Sequence, residues 1–232
     1  MEPKPRFLTI LDSISAVLFV VALGMVFFYA PTERVMGAVQ RVFYFHVATA
    51  WVGMLGFMAA GVAGVAYLRS SDRKWDTVSL AAVEISLVFF FITIIMGSIW
   101  ARPAWGTWWT WEPRLTTATI VELVYAAYLM LRQGIEDPDR RARFGAVYTI
   151  LGFISVPVTF LSIRLYRTIH PTVFGVSSPE AEGEFSMTPS MLQTLIFSVL
   201  TFSVIFSSLL WHRIRLGRLA EKVEQLRLKI AH

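Results

Sequence analysis

The residues able to do chemistry are few and unevenly spread. The chain carries four histidines, His46, His170, His212 and His232, and no cysteine. Five of its eight tryptophans, Trp100, Trp105, Trp108, Trp109 and Trp111, fall in one short run beside Arg102, Glu112 and Arg114. Imidazole is the commonest protein ligand for transition metals, and indole offers a broad apolar face for stacking. A guanidinium presents a fork of donors matched to a carboxylate. The absence of thiols excludes disulfides, thiolate metal sites, iron–sulfur clusters and covalent cofactor attachment through this chain. The tryptophan run reads as an aromatic shelf for a large flat apolar ligand, edged with charge, and the histidines as candidate metal ligands. That requires elements which bring the two groups of residues together.

Those elements are membrane helices. The 232 residues are 56% hydrophobic and 16% charged, against about 25% charged in soluble domains, and the mean hydropathy is +0.59. About 20 apolar residues cross the hydrocarbon as a helix. Six segments qualify: Leu8–Ala30, Val42–Leu68, Thr77–Ile99, Thr116–Leu131, Phe144–Ile163 and Ser190–Leu210. The first exceeds the roughly 7–15 apolar residues of a cleaved signal peptide and counts as a span. The expected fold is an all-α integral membrane protein of six transmembrane helices. Residues 1–211 form the membrane domain and 212–232 a basic amphipathic tail. In that tail Leu216, Leu219, Val223, Leu226 and Ile230 step by three and four, a seam that suits either the membrane surface or a docked partner.

Within the spans, His46, Ala50, Gly53, Gly56, Ala60 and Gly64 share one helix face, and such small residues let membrane helices approach closely. Pro157 is expected to kink the fifth span. Pro103, Gly106 and Pro113 break the tryptophan-rich run, so a single helix cannot cover it. Glu84 and Glu122, ionisable groups inside spans, are read as structural partners of an arginine or of backbone rather than as catalysts.

Lysine and arginine set the orientation. With both termini cytoplasmic, fifteen of the 21 basic residues face inward and six outward, as the positive-inside bias requires. These charges sit in short loops as topology signals, and nucleic acid is not an expected partner. His212 then lies at the inner end of the sixth span and His232 at the terminus, both solvated. The tryptophan-rich loop, His46 and His170 all face outside. So do Arg41, Arg102, Arg114, Arg164 and Arg167.

Two external histidines flanking a tryptophan shelf read as a haem site. Imidazoles fill the axial positions of haem iron, indoles stack on the porphyrin, and arginines meet the propionates. The competing reading is an aromatic belt at the headgroups, which needs only one or two rings per helix end.

The run Trp105-Gly-Thr-Trp-Trp-Thr-Trp-Glu-Pro-Arg-Leu-Thr116 closely resembles the tryptophan-rich signature of haem-handling proteins of cytochrome c biogenesis. With six spans and one histidine on each side of the signature, nearly the whole chain is similar to the haem exporter protein C family of the cytochrome c maturation system. Arg41-Val-Phe-Tyr-Phe-His46 and Thr168-Ile-His170 match that family's surroundings of two external haem ligands. Arg41 and Arg114 match arginines it needs for haem handling. The family usually has Asp at the position of Glu112, and tends to carry tryptophans where this chain has Arg164-Leu165-Tyr166-Arg167. The resemblance implies haem b, held non-covalently in transit, with its iron between His46 and His170. Trp105, Trp108, Trp109, Trp111, Glu112, Arg41 and Arg114 would complete the site. It implies as partners a periplasmic haem chaperone, an ABC-type ATPase and permease, and a small single-span membrane subunit, in contact with lipid in the bacterial inner membrane. No phosphate-binding P-loop pattern occurs in the chain, so any use of ATP falls to partners.

Two other classes compete. A b-type electron-transfer cytochrome needs histidine pairs at both membrane sides, and the inner side offers His212. A solute transporter is expected to show internal repeats around midplane polar groups, and the two halves of the chain show no convincing repeat.

Overall fold

In the computed structural model the described residues are 3–34, 36–166, 169–170 and 187–231. They form six long helices, α1 (Arg6–Gly24), α2 (Gln40–Ser70), α3 (Arg73–Trp105), α4 (Pro113–Gln133), α5 (Pro138–Leu165) and α6 (Pro189–Ala231). A π-helical turn, Met25–Tyr29, extends α1. Each of the six is long and apolar enough to cross a membrane, so every expected span is present. Arg167, His232 and the stretch 177–184 lie outside the described residues.

Local chemistry sets the helix ends. Ser71 adopts a left-handed conformation, φ 54°, that ends α2. Asp72 then caps α3 by accepting the Lys74 amide at 2.9 Å, and the Lys74 ammonium holds its carboxyl below the usual range. Asp137 caps α5 in the same way, with Pro138 as the first helical residue, a position where a missing N–H costs nothing. The charged stretches 69–76 and 132–143, expected as loops, are therefore mostly helical. Their ends are capped within a few residues, and most of their charges lie on the helices.

Helix α2 is the centre of the bundle and packs on α3, α5 and α6. Its small-residue face does what the spacing implies. A Cβ on Gly56 would stand 1.9 Å from Ser86 Oγ and 2.5 Å from the Phe206 ring, and one on Gly64 would stand 2.6 Å from Thr149 Oγ1. Phe57 of α2 stacks on Tyr125 of α4 with ring centres 3.9 Å apart, in a core that also holds Phe90, Val121 and Val156.

The end of the bundle at which α4 stops and α3 starts is tied by charge. Arg132 of α4 grips Asp76 of α3 with two bonds, 2.5 and 2.9 Å, both side chains buried. Glu84 pairs with Arg213 at 2.9 Å, the arginine partnership expected of it. Glu122, by contrast, leaves Oε2 buried with no hydrogen-bond partner among the described residues. His212 is not simply solvated: its Nε2 lies 3.0 Å from Asp12 of α1, joining α1 to α6. The helix that carries it runs unbroken from Pro189 into the basic tail.

Candidate functional site

At the other end of the bundle α2, α3, α4 and α5 surround a cavity of about 680 Å³. That is within the roughly 300–1,000 Å³ of small-molecule sites. His46, Trp105, Trp109, Arg114 and His170 line it, together with Trp51, Trp100, Phe160 and Arg164. The topology therefore brings His46, His170 and three tryptophans of the run, Trp100, Trp105 and Trp109, to one place.

His46 is held by α3. Its Nδ1 lies 2.9 Å from the Thr93 carbonyl oxygen. A carbonyl only accepts, so Nδ1 carries the hydrogen and Nε2 keeps its lone pair, the form in which imidazole binds a metal. Thr93 is itself fixed, donating to Phe89 O at 2.9 Å and meeting Thr49 Oγ1 at 2.8 Å. The ring sits over Gly97, where a Cβ would stand 2.8 Å from His46 Cε1. Gly97→Val should displace the imidazole from Thr93 and lower its ligand capacity at least about tenfold, the usual cost of losing such an outer partner. A titration of the purified variant with a metalloporphyrin checks it, and unaltered affinity would show that the ring does not need this seat.

A row of rings leads outward from His46. Its centre lies 6.5 Å from that of His170, and His170 lies 6.3 Å from Trp105. Trp105 meets Trp100 edge to face at 5.6 Å, and Trp100 donates from Nε1 to Gln40 Oε1 at 3.2 Å, anchoring the row to the first turn of α2. The run that carries these rings is partly helical. Helix α3 continues through Pro103 to Trp105 and stops at Gly106, which has φ 73°, a backbone that favours glycine.

The rest of the run divides in two. Trp109 lines the cavity with its Nε1 buried and without a hydrogen-bond partner among the described residues. Trp108 and Trp111 are 57% and 74% exposed and stand outside the lining, Trp111 meeting Trp109 edge-on at 5.7 Å. Arg114 donates to the Thr159 carbonyl at 2.6 Å and lies over Phe160 at 5.3 Å, joining α4 to α5 at the cavity wall. Arg41 is not in the lining. Its guanidinium lies 5.4 Å over the Phe27 ring of the π turn.

Glu112 has a structural task that reading the loop as a shelf did not reveal. It caps α4, accepting the Leu115 amide through Oε1 at 2.7 Å, with Pro113 next. Aspartate is among the best N-caps, so a shorter carboxylate would serve the same end. Glu112→Asp should leave thermal unfolding unchanged, whereas Glu112→Lys should cost on the order of 1–2 kcal/mol, because it removes the acceptor and puts a cation at a helix N-terminus. Equal unfolding temperatures for the two variants would remove the capping role. The residues that reading the sequence missed are Thr93, Gly97, Trp51 and Phe160. Of these only Gly97, a small residue in a membrane helix, carried a signal of close approach.

Nearly the whole chain, residues 2–229, matches the family model described as "Heme exporter protein C". Among similar proteins are heme exporter protein C of Bradyrhizobium diazoefficiens, 31% identical over 86% of this chain and 74% of that one. That of Rhodobacter capsulatus is 30% identical over 86% and 81%, and that of Escherichia coli K12 is 26% identical over 82% and 74%. With six membrane-crossing helices and a match that runs from end to end, this multi-pass membrane protein belongs to the haem exporter protein C family.

Proposed function

We propose that the cavity is a haem-loading platform at the external face of the membrane, serving cytochrome c biogenesis. The observation that carries this reading is the pair of imidazoles in the cavity lining, His46 and His170, whose ring centres lie 6.5 Å apart. Metal–imidazole bonds of about 2.0–2.1 Å put the ring centres of two opposing ligands roughly 6–6.5 Å apart, so the residues present fit a single iron between them. Haem supplies that iron and a flat apolar ring edged by two carboxylates.

His46 is the more firmly set ligand, because Thr93 fixes its tautomer and Gly97 its position. His170 approaches from the far side, braced by Trp105. Trp105 and Trp109 supply the wall against the ring. Arg114 has donors beyond the one spent on Thr159 and, with Arg164 on the same wall, meets the propionates. Trp108 and Trp111 are exposed and suit contact with a periplasmic haem chaperone rather than retention. Arg41, packed on the π turn, acts by holding α1 against the start of α2. The external placement rests on the basic residues clustered at the opposite end of the bundle. The ATPase, the permease and the small single-span subunit belong to the same proposal.

A comparison of tryptophan pairs tests it. Trp105→Ala with Trp109→Ala should lower haem affinity by about tenfold, since each stacked ring contributes roughly 0.5–1.5 kcal/mol beyond its buried area. Trp108→Ala with Trp111→Ala should leave affinity unchanged and slow transfer to the chaperone. Equal haem retention by both pairs would return the tryptophans to the role of a membrane belt.

A further inference from the structure

Helix α6 does not stop where the bilayer does. Its 43 residues make a rod about 64 Å long, roughly twice the hydrocarbon thickness. Trp211, with its ring 5.7 Å from Phe7, suits the exit point at the end of the bundle opposite the cavity. Beyond it the helix stays against α3. Arg213 bonds Glu84 at 2.9 Å, a Cβ on Gly217 would stand 2.7 Å from Thr77 Cγ2, and Glu221 accepts from Arg73 Nε at 3.1 Å. Arg73 is the first residue of α3, so residues 222–231 reach past the bundle.

The face opposite those contacts is apolar. Leu216, Leu219, Val223, Leu226 and Ile230 step 3-4-3-4 along it, the spacing of a coiled-coil seam. Leu226 is 59% and Ile230 84% exposed. The bonds to α3 hold the helix in line with the bundle instead of along the membrane plane, so lipid does not cover the seam. A second copy does not suit it either. The positions that flank the seam are Arg215, Lys222 and Lys229 on one side and Ala220 and Arg227 on the other. Parallel or antiparallel self-pairing would set cation against cation, the arrangement that coiled coils use to reject a partner.

We infer that residues 216–230 of α6 form a docking strip, on the side of the membrane opposite the cavity, for an amphipathic helix of a partner protein with an apolar seam and acidic flanks. The strip is independent of what the cavity binds.

The test uses the full chain in nanodiscs of neutral lipid and two synthetic helical peptides, read by fluorescence anisotropy. Both peptides have leucine at the seam positions. One has glutamate at the flanks and the other lysine. The glutamate peptide should bind at least about tenfold more tightly, and added salt should weaken it. Leu219→Asp with Leu226→Asp should lower that affinity at least about tenfold while thermal unfolding of the bundle is unchanged, because both residues are exposed. Lys222→Glu with Lys229→Glu should abolish the preference between the two peptides, because Arg215 and Arg227 are then balanced by two acids. Equal affinity for the two peptides would overturn the inference, as would binding that survives the leucine substitutions. So would a seam that instead dimerises the protein, or that a fluorophore at residue 230 shows lying on anionic nanodiscs.

Discussion

His46→Ala and His170→Ala are each expected to abolish six-coordinate haem in the purified protein. The two imidazoles both line the cavity, with ring centres 6.5 Å apart. No other histidine among the described residues lies at that end of the bundle to replace either one, since His212 is bonded to Asp12 at the opposite end. Loss of an outer partner of a metal ligand already costs 10–100-fold, so loss of the ligand itself should exceed that. The two variants should still differ. His46→Ala also leaves the Thr93 carbonyl without its imidazole and opens space over Gly97, so added imidazole should enter and partly restore the spectrum. His212→Ala should leave the spectrum as it was. An unchanged spectrum in His46→Ala would remove this residue from the site.

The largest effect on stability is expected far from the cavity. Asp76 and Arg132 are both buried and joined by two bonds. A Cβ on Gly145 of α5 would stand 2.5 Å from Arg132 Nη1, so three helices meet around one ion pair. Removing one partner leaves the other charge buried and uncompensated, at a cost of about 3–5 kcal/mol. Asp76→Ala should therefore lower the unfolding temperature sharply in detergent. Replacing both residues by apolar side chains of similar size should recover much of the loss, because no unpaired charge then remains. A double replacement as unstable as the single one would mean that the pair's geometry, not its charge balance, holds this end of the bundle together.

The parts legible in the sequence follow from composition, and the missing parts depend on pairing between distant helices. Runs such as Thr77–Ile99 announce themselves as spans because the bilayer demands unbroken apolarity over a fixed length. The small-residue face of α2 was equally readable, since its spacing needs only one helix to interpret. Asp76 and Arg132 were not. Each lies in a charged stretch, and only the packing of α3 on α4 turns two surface-like residues into a buried pair. His46 and His170 could be placed on one side from topology, but the roles of Thr93 and Gly97 depend on how α3 is rotated against α2. The tryptophan run looked like a single loop because proline and glycine interrupt it. The structure divides it at Gly106, where φ is 73°, so Trp100 and Trp105 are helical and rigidly placed while Trp108 and Trp111 stand exposed. The composition changes at Trp211, where the sixth span gives way to the tail, yet α6 runs on through that point. Backbone continuity does not follow composition, and no helix breaker stands between them.

The central claim is one haem held between His46 and His170 at the external end. Its most direct test is the haem-to-chain ratio of the purified full-length protein, read together with its absorption and electron paramagnetic resonance spectra. One haem per chain, low-spin and six-coordinate, with a spectrum indifferent to His212→Ala, is the predicted result. Two haems per chain, or a spectrum lost on changing His212, would contradict the platform and favour electron transfer across the membrane.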